Sequence, residues 1–284
     1  MVKKEYHEAN RISWNAATTA HNSHKVDQAK FFREGGQTLY PEEVQLLGDI
    51  NGRTLVHLQC NAGQDTLSLV KLGAIVTGVD ISDVAIDFAR TLSADSGIPA
   101  TFHRSDVYDW LAETAASDQR FDIAFSSYGA LCWLSDLRTW AKGIAAILNP
   151  GGRIVLVDFH PYVMIFDDDW SFGYDYFKQE PIAWDDGIGD YVAMSGELLA
   201  PSGYLPGEEA FVNPHPSYEF QWPISEIITA ILEAGLRLTT FKEYPYFNGA
   251  KILNDMRQMD DGRVYPPEGF PTLPLTYAVA ALKD

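Results

Sequence analysis

From Thr54 onward the chain alternates short apolar runs with segments of helical period, which restricts it to folds built from βαβ units on a parallel sheet. Thr54–Gln59 (TLVHLQ) reads as a first strand and Asp65–Leu72 as a helix. Ile75–Asp80 (IVTGVD) is a second strand, followed by a helix from Ser82 to Gly97. There Ile81, Val84, Ala85, Phe88, Ala89 and Leu92 recur at helical spacing, with Ser82 as N-cap and Gly97 as stop, so one face must lie on the sheet. Ala100–Ser105 is a weaker third strand and Phe121–Ser126 a strong fourth. A helix from Ser135 places Leu137, Trp140, Ala141, Ile144, Ala145 and Leu148 on one stripe, and Asn149–Gly152 (NPGG) breaks it before a fifth strand, Arg153–Asp158. A helix around Ser225–Ala234 and strands around Leu236–Tyr244 and Thr276–Leu282 bring the sheet to seven strands.

Two regions do not fit this core. Residues 1–50 read as an N-terminal helical cap, ending in PEEVQLL at 41–47. Residues 159–222 hold 15 of the 36 aromatic residues and are punctuated by Pro, Gly and Asp. Aromatics this dense outside the regular core suggest a lid that walls a pocket, or a surface subdomain with a small core of its own. The expected division is 1–50 cap, 51–158 ligand-binding core, 159–222 lid, and 223–284 completion of the sheet.

Composition narrows the partners. With 21 Lys+Arg against 39 Asp+Glu, the formal charge of −18 repels nucleic-acid backbones and anionic membranes. No apolar run reaches the length of a membrane helix, and the start, MVKKEYHEANRISWN, lacks a signal peptide's apolar core, so a cytoplasmic protein is expected. Cys60 and Cys132 lack metal-ligand spacing, and no metal site is expected.

In an open parallel sheet, ligands bind beyond the carboxyl ends of the strands, where strand order reverses. After the first strand comes Gln59-Cys60-Asn61-Ala62-Gly63-Gln64-Asp65, a turn into a helix N-terminus. After the second comes Asp80, where a carboxylate commonly accepts from both hydroxyls of a ribose. Together they imply a nucleoside-containing ligand.

The run TLVHLQCNAGQDTLSLVKLGAIVTGVDIS, with SDV at 105–107, FDIAFSSYGALCWL at 121–134 and LNPGGRIVLVDFHP at 148–161, resembles the class I S-adenosylmethionine-dependent methyltransferases, in a small-molecule branch whose first loop reads L-Q-C. The resemblance is strong over roughly residues 50–160. It implies a doubly wound, Rossmann-like α/β fold, mostly parallel in the order 3-2-1-4-5-7-6, with S-adenosylmethionine as cofactor. It further implies that the loop Gln59, Cys60, Asn61 and Gly63 packs on the methionine part, Gly63 giving close backbone approach. Asp80 would hold the ribose, Ile81 would lie along the adenine, and Asp106 with the Val107 N–H would meet the adenine edge. Ser126 and Tyr128 would face the methyl group and substrate.

The family's loop is usually acidic-x-Gly-x-Gly-x-Gly, whereas His57, Gln59 and Asn61 stand here and only the final glycine is kept. Asn tolerates a left-handed backbone. Gln59 must point away or use its amide on the ligand. His57, mid-strand, reads as structural. His160, just beyond the fifth strand, is the first candidate to orient or deprotonate an acceptor, and Tyr128 the second. Trp14, Phe32, Tyr40, Trp170 and Tyr174, with Phe31, Phe177 and Trp184, are expected to wall a pocket for a flat or cationic small molecule. The SSYG strand end argues against both metal-dependent catechol-type and nucleobase amino methylation. Two readings compete with methyl transfer: a nicotinamide-dependent oxidoreductase, which the loss of the first glycines opposes, and a non-catalytic protein that retains the fold.

Overall fold

The structure, a computed structural model, describes residues 1–208 and 210–284. Three helices come first: α1 (Lys4–Ser23), α2 (Gln28–Arg33) and α3 (Pro41–Leu47). The alternating core follows as β1 (Thr54–Leu58), α4 (Gln64–Lys71), β2 (Ile75–Asp80), α5 (Asp83–Ser96), β3 (Thr101–Arg104), α6 (Val107–Ala116), β4 (Phe121–Ser127), α7 (Leu137–Ile147) and β5 (Leu148–Phe159). Beyond it lie a hairpin of β6 (Ile182–Trp184) and β7 (Ser217–Glu219) flanking α8 (Tyr191–Ser195). The chain ends with α9 (Ile224–Glu233), β8 (Leu236–Tyr244), the short strands β9 (Phe247–Asn248), β10 (Arg257–Gln258) and β11 (Arg263–Tyr265), and β12 (Thr276–Lys283).

The main sheet runs β3-β2-β1-β4-β5-β12-β8, which is 3-2-1-4-5-7-6 when its own strands alone are counted. Only β12 is antiparallel to its neighbours β5 and β8. The strands read as continuous apolar runs because both faces are covered. Val56 and Leu156 pack to one side with Trp140, Ile144 and Ile231 of α7 and α9. Leu55 and Val155 pack to the other with Leu47 and Leu69 of α3 and α4.

Local chemistry accounts for most element ends. Ser82 caps α5 by accepting from the Ala85 N–H at 3.1 Å, and Gly97 closes it in the left-handed region at φ 71°. The buried face of α5 is rotated from the expected stripe: Ile86 is fully buried while Val84 is 36% exposed, because α1 and α2 as well as the sheet pack on this helix. No break separates α7 from β5. The strand starts at Leu148, opposite Phe121, and an irregularity absorbs NPGG before Arg153 pairs with Ile123.

The aromatic residues of 159–222, expected to form a lid, divide between two tasks. Phe166 and Trp170 join Val163, Phe247, Val264 and Leu275 in a satellite core shared with the β9–β11 sheet, which sequence periodicity did not indicate. The hairpin β6–β7 docks on α1 instead, where Asn10 exchanges hydrogen bonds with Tyr218 at 2.7 and 2.9 Å. Among the described residues no helix is long and apolar enough to cross a membrane.

Gly63 opens α4 at φ 82°, and a Cβ there would stand 2.7 Å from the Ala89 Cβ. Gly63→Ala should therefore cost roughly 1–3 kcal/mol in stability, read as a lower denaturation midpoint in urea without a changed m-value.

Candidate active site

The reversal of strand order falls between β1 and β4, and a cavity of about 1190 Å³ opens over the carboxyl ends of these strands. On the β1 side the chain leaves the sheet through alternate left-handed residues: Gln59 at φ 55°, Asn61 at φ 48° and Gly63 at φ 82°. For Gln59 and Asn61 this conformation costs of order 1 kcal/mol or more each, which the surrounding bonds must offset. Asp80 supplies one of them. Its carboxylate accepts from the Asn61 N–H and the Ser82 N–H, both at 2.8 Å, so one acid fixes the turns after β1 and β2. Burial raises its pKa and these two N–H groups lower it. Each oxygen keeps acceptor capacity beyond its one N–H, as a ribose diol would require.

On the β4 side Asp158 performs a similar task. Its buried carboxylate accepts from the Leu131 N–H at 3.1 Å, the Phe159 N–H at 2.8 Å and the Gly129 N–H, which shapes the loop after Tyr128. Gln59 then joins the two loops by donating its amide N–H to the Ala130 carbonyl at 2.6 Å. Its amide oxygen is buried without a donor among the described residues. Tyr128, at φ 22°, turns its hydroxyl toward Asn248, which donates to it at 3.0 Å, and its ring meets Tyr40 edge-on at 6.1 Å.

The N-terminal helices roof this site. Asn15 of α1 accepts from the Ser82 hydroxyl at 2.7 Å. His7 bridges Asp106 and the Ser135 hydroxyl, both at 2.8 Å, while Asp106 caps α6 through the Tyr108 N–H at 2.8 Å. At the turn from α1 to α2, Lys25 lines the cavity. Burial depresses its pKa to about 8, and Asp65 and Asp190 oppose the shift. It is the only Lys or Arg lining the cavity among the described residues. No motif surrounds it in the sequence, and sequence reasoning missed it, as it missed Asp65 and Asp158.

Most of the residues singled out from the sequence lie on this cavity: Gln59, Cys60, Asn61, Asp80, Ile81, Asp106, Val107, Tyr128, Trp14, Phe31, Phe32, Tyr40, Tyr174 and Trp184. Five do not. His160 leaves the strand toward β12 and β8: its N–H donates to the Leu275 carbonyl, its Nδ1 accepts from the Tyr162 N–H at 3.1 Å, and its Nε2 donates to Glu243 at 3.1 Å. Burial holds its pKa below the usual imidazole value, against the pull of Glu243. Both ring nitrogens are thus engaged away from the cavity, which His160 does not line. Gly63 does not line the cavity, and Ala89 and Phe102 crowd the position a Cβ would take there. The pleat turns Ser126 into the core, 0% exposed, and brings Ser127 to the cavity instead. Trp170 packs against Phe270 with the rings tilted at 55° and 4.8 Å between centroids in the satellite core, and it donates to the Asn254 carbonyl. Phe177 is 64% exposed on the surface.

The sequence model of the methyltransferase-domain family matches residues 56–152. The ubiquinone biosynthesis O-methyltransferase of Coxiella burnetii is 31% identical over 105 residues, 37% of this chain and 43% of that one. Its Proteus mirabilis namesake is 28% identical over 103 residues, 36% and 40% of the two chains. The chain thus matches less than half the length of these curated relatives. Among solved structures, an S-adenosylmethionine-dependent methyltransferase from Mesorhizobium loti aligns over 88% of this chain and 99% of its own, with TM-score 0.52 and 18% identity. A Listeria monocytogenes structure provisionally given the same description aligns over 86% and 95%, with TM-score 0.59 and 16% identity. Residues 56–152 thus match the methyltransferase-domain family, and the chain shares its fold with these solved methyltransferase structures.

The residues present suit the cofactor of this domain class. By its chemistry the Asp80 carboxylate would accept from a vicinal diol, the unpaired Gln59 oxygen would accept from a donor such as an ammonium group, and the Lys25 amine would pair with a carboxylate. His57 stands apart from this chemistry. It is buried beneath the loop, bonded through Nδ1 to Thr66 at 2.9 Å, and burial lowers its pKa to about 3. A folded state that resists protonation loses stability as pH falls from the unfolded value near 6.5 toward 3, at up to about 1.4 kcal/mol per pH unit. His57→Asn should flatten the fall in unfolding free energy between pH 6.5 and 4.5 by about one proton's worth, measured by urea melts across that range.

Proposed function

We propose that this protein transfers a methyl group from S-adenosylmethionine to a small-molecule acceptor held between the methyltransferase core and the lid. The observation that carries the reading is Asp80: a half-buried carboxylate at the switch point, fixed by two backbone N–H groups and facing the cavity. When bound, the cofactor supplies an electrophilic methyl on a sulfonium, a leaving group already activated.

The chain's task is then alignment and exclusion of water. Asp80 would hold the ribose hydroxyls, and Ile81, Val107 and the Asp106 carboxylate would border the base. Lys25 would pair with the methionine carboxylate, and the Gln59 oxygen would accept from its ammonium. Tyr128, held by Asn248, would orient the acceptor opposite the methyl group. Attack in line with the breaking carbon–sulfur bond requires no covalent nucleophile, and His160, bonded toward Glu243, does not line the cavity where a base would act. The reading that a dinucleotide binds here lacks support, since Gln59 and Asn61 occupy the turn where its pyrophosphate needs close backbone approach.

Two measurements test the proposal. Titration calorimetry with S-adenosylhomocysteine should give a binding isotherm for the wild type and a loss of at least tenfold for Asp80→Asn, since a charged hydrogen-bond acceptor contributes about 1.5–3 kcal/mol. Unchanged affinity in the variant would remove the central contact. The pH profile reports on Lys25: the protonated amine present below pH 8 attracts a carboxylate, so affinity should fall as pH rises through about 8. Lys25→Met should bind more weakly at pH 7 and show no such decline.

A further inference from the structure

The lid half of the cavity has a charge pattern of its own. Glu219, the last residue of β7, lines the cavity, and burial raises its carboxyl pKa above the ordinary value. The opposing influence is the indole N–H of Trp184, across the hairpin, which lies beside the carboxylate and has no well-aligned acceptor among the described residues. No Lys, Arg or His contributes to the ionisation of Glu219. Lys25, the only Lys or Arg lining the cavity among the described residues, answers instead to Asp65 and Asp190. Two residues beyond Glu219, Gln221 also lines the cavity. It is only 7% exposed, and its amide oxygen has no donor among the described residues. Asp167 and Asp168 lie near Tyr174 and push its pKa upward. This end of the cavity therefore offers hydrogen-bond acceptors and negative charge with no Lys or Arg among the described residues to balance them.

Its remaining walls are aromatic. Trp184 and Tyr174 meet at 5.8 Å between ring centroids, and Phe220 stacks on Trp222 at 6.4 Å, all four lining the same space. An apolar occupant would strip water from a buried carboxylate and leave it unpaired, which is costly. A cation would satisfy the carboxylate and gain attraction from the ring faces as well.

We propose that the lid half binds an acceptor carrying a protonated or quaternary nitrogen, with Glu219 as its counter-ion and Trp184, Tyr174 and Phe220 as its walls. Only the occupant's role as methyl acceptor rests on the methyltransferase reading. The cation site stands on the lid's own geometry.

The probes are choline and its neutral isostere 3,3-dimethyl-1-butanol, titrated against the full-length protein saturated with S-adenosylhomocysteine and followed by tryptophan fluorescence. Wild type should prefer the cation by about tenfold or more, the scale expected for a desolvated charge against aromatic rings and a carboxylate. Glu219→Gln should lose that preference while keeping its affinity for S-adenosylhomocysteine. Equal binding of the two probes by wild type, no binding of either at tens of millimolar, or a preference that survives in Glu219→Gln would each overturn the proposal. If Glu219→Gln does not fold, the wild-type ratio decides alone: tenfold supports the cation site and unity sinks it. A cation preference in a protein that binds no S-adenosylhomocysteine would uphold the site and refute the methyltransferase reading, so the two failures are distinguishable.

Discussion

Two strands that part company must be closed at their ends, and here the closure depends on a few buried side chains. The loops after β1 and β4 diverge at the reversal of strand order, and the Gln59 amide spans them to the Ala130 carbonyl. Asp80 anchors one loop and Asp158 the other, each with backbone N–H groups rather than with cationic partners. Such carboxylates remain charged at the cost of burial because they accept several hydrogen bonds at once. The left-handed turns at Gln59 and Asn61 persist only while these bonds hold them, so strain and binding geometry are set by the same groups.

The cover over this floor comes from both ends of the core in sequence. The helix α1 reaches across β2 and β3 through Asn15 and His7, and the lid hairpin leans on α1 through Asn10. Cap and lid therefore support each other as well as the core. The resulting cavity has two chemically distinct halves. One carries Asp80 and Lys25, the only Lys or Arg lining the cavity among the described residues, while the other carries aromatic rings and the acids Glu219, Asp167 and Asp168. A methyltransferase that must keep water from a sulfonium and still choose its acceptor has reason to separate these functions.

The fold was legible where the signal is periodic. Strands buried on both faces and helices with one apolar stripe can be read from spacing alone, and Asp80 could be read from its place at a strand end. The same burial hid other features. In β4 nearly every residue is buried, so no alternation told Ser126 from Ser127. His160 sits one residue past β5, where the backbone bond to Leu275 turns it toward β12, a long-range contact that no local pattern encodes. At Gly63 a close approach to a helix and one to a ligand demand the same residue, so the sequence alone does not show the crowding by Ala89 and Phe102. Trp170 and Tyr174 have the same composition around them, and only the β9–β11 sheet, formed from a segment without strong periodicity, decides which faces the cavity. Lys25 and Glu219 lie on short elements without motifs, and their significance arises from what surrounds them in space.

The central claim is that adenosine sits at the β1/β4 boundary with its sugar on Asp80. A crystal structure of the protein grown with S-adenosylhomocysteine tests it most directly. The account predicts both ribose hydroxyls within hydrogen-bonding distance of the Asp80 carboxylate and the homocysteine sulfur opening toward Tyr128 and the lid. Density for the nucleoside anywhere else in the cavity, or a ribose turned away from Asp80, would contradict it.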